Sequence, residues 1–598
     1  ADNSYMRNGT GYYRYRSLQD FYDGAAPEVV CLTYGYDGEA NPAARVRFHK
    51  AGIYAQDEWS VNDNFKLTYG VRLDGLFFDN QDLIRNNAIY DLHYGLGECE
   101  LAHNDKGEVL RNEQGQYVDA EGNVIKDCKN GHIDTGKWPS AALTVSPRVG
   151  FSWDVLGDNS LKLRGGTGLF SGRLPLVFFT NMPTNSGMVQ YQAKLNGDGK
   201  NGGVKTDMSQ FAGGVLKREA LLAKLLEMGY PNQITPEMGT TPAEISAVDP
   251  KFKMPQVWKT SLAVDYNFPT SFPFSVSAEG IYNKTVNGVV LRDWSVMSTD
   301  GFARFNGVDN RPIYENYQQK DAAGKNLPAA YVLENTSRGY GYSGTFTVKM
   351  SPAQGLNLMA AYTHTVSKEI TGMPGSNASS VLNYIGTVYG PNDPGLHNSE
   401  YVTPDRVVAS ISHSDKSNNH FSLIYEAWRG GYNYTYMTAN DMNGDGYNYD
   451  LIYIPTDEQV ANGDFRFVSP DDAQRFLDFV HVDKYLSKNQ GKYAEAYSVY
   501  SPWVHRVDFS YKHDFKVKAG NSMNVLQLCF DVKNILNLFN SNWGVSKYMN
   551  PELGEGRILK YEGYDKEGYA TFSTPAGVNP NTQVWNNSIG IGQCWYAS

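Results

Sequence analysis

No stretch of the chain approaches eighteen consecutive apolar residues; the longest such runs are short pieces like LPLVFF. A membrane-spanning helix is thereby excluded. The exclusion does not reach a membrane-spanning β-barrel, which spreads its apolar band over alternating residues and can keep the mean hydropathy of a soluble protein. Runs of Lys and Arg are missing too, and the formal net charge is −11. The clustered cations that phosphate binding needs are therefore absent, which argues against nucleic acid as a partner.

Catalytic signatures are also lacking. There is no HExxH, no GxSxG and no GxxxxGK[ST], and the eleven histidines are scattered singly. Without two histidines on one helix face there is no zinc site to read. One GxGxxG occurs at Gly339, Gly341 and Gly344, but it precedes an alternating strand instead of opening a helix, so the dinucleotide reading fails. The chain is read as no enzyme. Cysteine is scarce, with five in 598 residues. Cys99 and Cys128 bracket a polar stretch with two turn-like pieces, DKGEVL and AEGNVI, and form a candidate disulfide across a hairpin; two unpaired thiols in a loop remain the alternative, because sequence does not fix pairing.

What the sequence has in abundance is tyrosine, 42 in all, and glycine, 59 in all. That combination is β-rich. In FKLTYGVRLD, Phe65, Leu67, Tyr69, Val71 and Leu73 alternate with Lys66, Thr68, Gly70, Arg72 and Asp74. One face is apolar and the other polar. Just upstream, Ile53, Ala55 and Trp59 share a face before the Asn62-Asp63-Asn64 turn. The same hairpin unit recurs at 146–170, with Val149, Phe151, Trp153 and Val155 before a Gly157-Asp158-Asn159 turn, and again at FTVKMSPAQGLNLMAAYTHTV, RVVASISHSDKSNNHFSLIYEAW and HRVDFSYKHDFKVKAGNSMNVLQLCFDVKNILN.

Between the hairpins lie long polar connections, 80–140, 182–250, 291–338 and 370–400. Short turns at one end and long loops at the other are the asymmetry of an outer-membrane barrel. A soluble sandwich or propeller also alternates, but its strands need not exceed the length that crosses a bilayer. The fold class expected is therefore all-β, a transmembrane antiparallel β-barrel with long extracellular loops, about a dozen strands being countable. Two helical segments sit in those loops. KREALLAKLLEMG ends on Gly229 before Pro231, and SPDDAQRFLDFVHVDKYL opens on Ser469, Pro470 and two aspartates; both are read as loop compaction rather than lids.

Two loop features carry chemistry. In NDMNGDGYNYDLIYIP, Asp441, Asn443 and Asp445 fall at positions one, three and five of a calcium loop with Gly446 at its sharp turn. Tyr447 would add its carbonyl, and Asp450 is the remaining carboxylate, because Ile452 stands where the bidentate glutamate belongs. The competing reading is a turn rich in Asp, Asn and Gly before a strand. In GGYNYTYM, Tyr432, Tyr434 and Tyr436 alternate; an interfacial girdle with all three on one face is expected, a ligand-stacking surface being the alternative.

YAQDEWSVNDNFKLTYGVRLD, SPRVGFSWDV, RGGTGLFSGRLPLVFFTN and DVKNILNLFN resemble the barrel of TonB-dependent outer-membrane receptors, with likeness to the Bacteroidetes group that carries a carboxypeptidase-regulatory-like domain, often called Oar-like. The resemblance implies a bacterial outer-membrane location, a full barrel of twenty-two strands, a plug inside it and a segment that engages the TonB complex. It implies energy-coupled import of a bulky nutrient of unknown identity, contact with outer-membrane lipids and a surface lipoprotein as a candidate partner. No cofactor follows, a structural Ca²⁺ at the loop apart. The chain opens on ADNSYMRNG and stops at IGQCWYAS, which suggests a piece of a larger receptor: 1–43 as an extracellular loop segment, 44–598 as the C-terminal part of the barrel, and the plug outside the sequence. A non-transporting surface protein, adhesin or docking platform, is the rival function; a barrel protease or lipase is the third.

Overall fold

In the computed structural model, the structure describes residues 2–3, 8–39, 42–94, 110, 112, 118–123, 131–200, 203–296, 302–314, 320, 324–392 and 394–587. Twelve long strands follow one another in a single antiparallel path. They are β1 (Arg47–Asn62), β2 (Phe65–Asp79), β3 (Ala142–Asp154), β4 (Leu161–Ser171), β5 (Gln256–Asn267) and β6 (Phe274–Asp293). The path continues with β7 (Tyr340–Ala353), β8 (Leu356–Glu369), β9 (Asp405–Ser414), β10 (Asn419–Arg429), β11 (Val504–Ala519) and β12 (Ser522–Val532). The shortest has 10 residues and the longest 20, enough to cross a bilayer at a barrel's tilt. Each strand pairs with its sequence neighbour, and among the described residues no ladder joins β1 to β12.

Turn chemistry holds one end short. The Asn62 side chain accepts hydrogen bonds from the N–H groups of Asn64 (2.9 Å) and Phe65 (2.8 Å). Asp154 does the same for Gly157 (3.1 Å) and Asn159 (2.9 Å), residues held at φ 77° and 62°. Such side chains offer the backbone a local partner and so end a strand within a few residues. The register then sorts every residue to a face. Ile53 opposes Leu73, which opposes Val145, and Trp59 opposes Leu67, which opposes Phe151. Leu262 and Phe346 belong to the same outward set, and Ile53, Leu262 and Phe346 are all exposed. On the other face Tyr54, Arg72 and Ser146 share a row, as do Ala263, Arg164 and Glu279. An apolar exterior and a polar interior are the pattern of a wall immersed in lipid.

The opposite end carries a folded cap, built from the long connections. Val29–Gly35 pairs with Gln190–Asn196 to form a small sheet, against which the helix Arg218–Glu227 packs Leu221 and Leu225. The N-terminal segment is thus part of the cap. A second core gathers Phe178, Phe179, Phe252, Leu333 and Val381. The third and largest joins 305, 436–454, 465–499 and 549–578 around Phe476, Phe479, Ile454 and Phe572. Chain that follows β12 belongs here: Arg557–Tyr564 pairs with Met437–Thr438 and Ala570–Ser573 with Arg466–Phe467. After β12 the chain first stays against β11, where Lys533 and Asn534 both meet Asp508, and then returns to the cap; the terminal IGQCWYAS lies outside the described residues. Both expected helices form, as Arg218–Glu227 and Pro470–Val482, and the second packs Phe476, Phe479 and Val480 into the cap core.

Candidate functional site: the inner wall, its mouth and the acidic loop

Alternation turns the charges inward, and there they pair. Arg164 meets Asp265 at 2.9 Å and Glu279 at 3.4 Å. Arg506 meets Glu426 at 2.8 Å and Asp508 at 3.7 Å, and Lys533 adds 3.4 Å to Asp508. On β2 both oxygens of Asp74 accept from Arg72, each at 2.8 Å, while Lys50 of β1 stands 3.7 Å away. Arg164 and Arg506 stay partly exposed on the inner face whereas Asp74 is buried beneath its two cations, and the exposed pairs order the wall without being a large source of stability.

Where β1, β2, β3 and β4 reach the cap, a cavity of about 80 Å³ opens between wall and cap. Lys50, Asp74, Leu76, Ala142 and Thr144 supply its inner-face wall, and Leu174, Leu176, Met254 and Phe48 its apolar floor. Arg173 stands at the rim, exposed, and makes no ion pair with any described residue. Sequence reading passed over this site, since it joins four strand ends to a loop and no linear motif spans them.

The acidic loop folds as a tight coil. Asp441 accepts from the N–H groups of Gly444 (2.8 Å) and Gly446 (2.9 Å), Asn443 from that of Asp445 (3.1 Å), and Asp445 from that of Tyr447 (2.9 Å). Gly444 and Gly446 take φ of 80° and 88°, which only glycine adopts without strain. Asp450 closes the loop onto the cap interior: it accepts from Met442 N–H at 2.8 Å and from Arg311 at 3.2 Å. Arg311 is fully buried, chelated by Asp309 at 2.9 and 3.0 Å and bonded to the Leu451 carbonyl at 2.6 Å. The five residues expected to hold calcium therefore lie on one segment, but among the described residues no three His, Cys, Asp or Glu side chains stand close enough to hold a metal ion. The Arg311 guanidinium pairs with the buried carboxylates of Asp309 and Asp450, while Asp445, also buried, has no cation against it among the described residues. Burial first, and then the neighbouring carboxylates, hold the Asp445 carboxyl well above the usual range; burial does the same to Asp450, against the pull of Arg311.

Tyr432, Tyr434 and Tyr436 do not share a face. Tyr432 is exposed beside Tyr401 (ring centroids 6.1 Å), Tyr434 is half-buried against Trp585 (5.6 Å), and Tyr436 is wholly buried with its hydroxyl donating to Asp483 at 2.9 Å. The girdle expectation fails for Tyr436 because this segment is a two-residue strand and a loop inside the cap, where period-two alternation does not persist. Gly339 precedes β7 and Gly341 and Gly344 lie within it, as the failed dinucleotide reading required. Cys99 and Cys128 lie outside the described residues.

A wall of long antiparallel strands, apolar outside and charged inside, with short turns at one end and a folded cap at the other, defines an outer-membrane β-barrel protein. Residues 2–555 match the family described as outer membrane beta barrel domain, and the chain belongs to that family. It is a protein of the bacterial outer membrane. No curated protein matches. Among solved structures it is similar to the copper transporter OprC (9% identity, TM-score 0.33, covering 85% of this chain and 48% of that one). It is also similar to the FrpB iron transporter from Neisseria meningitidis, F3-3 variant (10%, 0.33, 82% and 42%), and to the outer membrane transporter YddB from Escherichia coli (8%, 0.36, 92% and 54%). The chain spans about half the length of these structures.

Proposed function

We propose that the protein is the barrel portion of a TonB-dependent receptor of the Oar-like group, which imports a bulky nutrient by energy-coupled movement of a plug. The observation that carries the reading is the inner wall. Its rows of paired Arg, Asp and Glu line a hydrated interior, as a lumen that a polar plug or solute occupies would require. The cap, formed by the long connections, is then the surface that captures substrate, and the segments 80–140, 182–250, 291–338, 370–400 and 432–500 hold its specificity. The test is retention of the protein, isolated from native outer membranes, on an immobilised soluble TonB domain. Retention supports import. A native protein that is intact by mass yet not retained supports the rival, a surface platform for a lipoprotein or another cell.

To the same reading belongs a calcium ion on Asp441, Asn443 and Asp445, with the Tyr447 carbonyl and Asp450 as further ligands. It is supported by the negative charge that Arg311 alone leaves uncompensated, and hard oxygen ligands of this kind suit calcium. Its role would be to stiffen the cap. Limited proteolysis in calcium and in chelator tests it: equal cleavage rates within the cap would remove the ion from the account.

A further inference from the structure

We propose that the cavity at the mouth is a subsite for an organic anion bearing one compact aliphatic group, and that Arg173 receives the carboxylate. The inference rests on the import reading only in taking the inner mouth as accessible to ligand. Its first support is shape. At about 80 Å³ the cavity falls well short of the roughly 300 Å³ of a drug-sized site, so it takes a side-chain-sized group and not a whole nutrient.

Its second support is the division of surface. The floor is made by Phe48, Leu174, Leu176 and Met254, which favours an apolar group. The polar side is unequal in charge. Asp74 is already shared by Arg72 at 2.8 Å and Lys50 at 3.7 Å, and Arg173 at the rim has no ion-pair partner among the described residues. Two cations satisfy one carboxylate and a third is left over. An exposed guanidinium beside an apolar pocket matches a planar carboxylate in charge and in hydrogen-bond geometry. A neutral or cationic ligand would leave that charge unanswered.

The branched-chain carboxylate that fits comes from either a peptide C-terminus or a free short-chain acid. The experiment uses the protein isolated from outer membranes and held in a neutral amphipol, with N-acetyl-L-leucine, isovalerate and N-acetyl-L-leucinamide as probes read by ligand-observed NMR. Both acids are expected to bind and the amide to bind at least about fivefold more weakly, the loss of one charged hydrogen-bonding partner. Tighter binding of N-acetyl-L-leucine than of isovalerate would assign a peptide end; the reverse order would assign a free acid. Arg173→Gln should weaken both acids by at least about fivefold, and Ala142→Met, which grows into the cavity, should block all three probes. Equal binding of acid and amide, an Arg173→Gln variant that binds as the parent does, or no binding by protein that keeps its heat-modifiable gel mobility would each overturn the proposal. None of these readouts involves TonB, so failure here leaves the import reading standing, and failure on the TonB resin leaves this one.

Discussion

Two strands of different composition behave oppositely in this molecule. Arg47–Asn62 of the wall is exposed along nearly its whole length, whereas Val29–Gly35 of the cap is buried at every position. The first sequence alternates, RFHKAGIYAQDEWSVN, and the second does not, VVCLTYG. A wall strand divides its residues between lipid and lumen, so its apolar side chains face outward and need no protein partner. A cap strand is closed over on both faces, as in any water-facing domain, and reads as a continuous apolar run. The protein is therefore stabilised by two different solvents. Changes that are costly in one region should be tolerated in the other.

The largest effect is expected at the buried ion cluster of the cap. Arg311→Met leaves Asp309 and Asp450 without their cation, a loss of about 3–5 kcal/mol when one partner of a buried pair is removed. Protease protection within the cap should collapse, while the heat-dependent gel mobility of the wall stays intact. Loss of both together would mean that cap and wall are one cooperative unit. Next comes the wall itself. Leu262→Arg places a charge in the lipid and should cost about 2–4 kcal/mol near the midplane, read as a lower urea midpoint in liposomes. Ser261→Arg, one residue away on the inner face, should leave that midpoint within about 0.5 kcal/mol. Equal effects at 261 and 262 would refute the assignment of faces.

Smaller still is Tyr436→Phe. It removes the hydroxyl that donates to the buried Asp483 at 2.9 Å and should destabilise the cap by about 1–3 kcal/mol, measured by hydrogen exchange in 470–486. The smallest effect is expected from acid. Asp472 takes bonds from Ser469, from the Thr574 N–H at 3.0 Å and from Arg475 at 2.6 Å, and these hold its carboxyl below the usual range. A depressed carboxylate contributes above its unfolded value and loses that contribution as pH falls through its folded one. The tie between Pro470–Val482 and Ala570–Ser573 should accordingly persist at pH 5 and loosen below about pH 4. In Asp472→Asn that acid-dependent step should vanish.

How much of this was legible depended on the solvent. The wall was: alternation at 53–59 and 149–155, each followed by an Asn- or Asp-rich turn, and at 65–73 beyond the first of those turns, placed hairpins and faces correctly, because period two is imposed by geometry and the turn residues act locally. The cap was not. Nothing in VVCLTYG names Gln190–Asn196 as its partner, and the return of the chain to the cap after β12 depends on pairings such as Met437 with Arg557. Tyr436 misled for a related reason, since alternation in a short segment says nothing once tertiary packing decides which way it turns. The acidic loop was found as a motif, but its charge partner Arg311 lies far off in sequence and could be met only in space.

The cap's long-range pairings also dictate an order of events. Its sheet joins Val29 to Asn196, and its main core joins Tyr436 to Phe572. Bringing such distant segments together from an open chain is slow and entropically costly. Once neighbouring strands of the wall have zipped, the connections between them are tethered at both ends, and the segments before β1 and after β12 at one, so that their partners are near. The main core of the cap is thus a late product of assembly, completed only after the last of the twelve described strands, because Ile558 and Phe572 follow β12. A chain stalled before β12 would lack Arg557–Tyr564 and Ala570–Ser573, and the apolar side chains they cover in the main cap core would be left exposed to proteolysis.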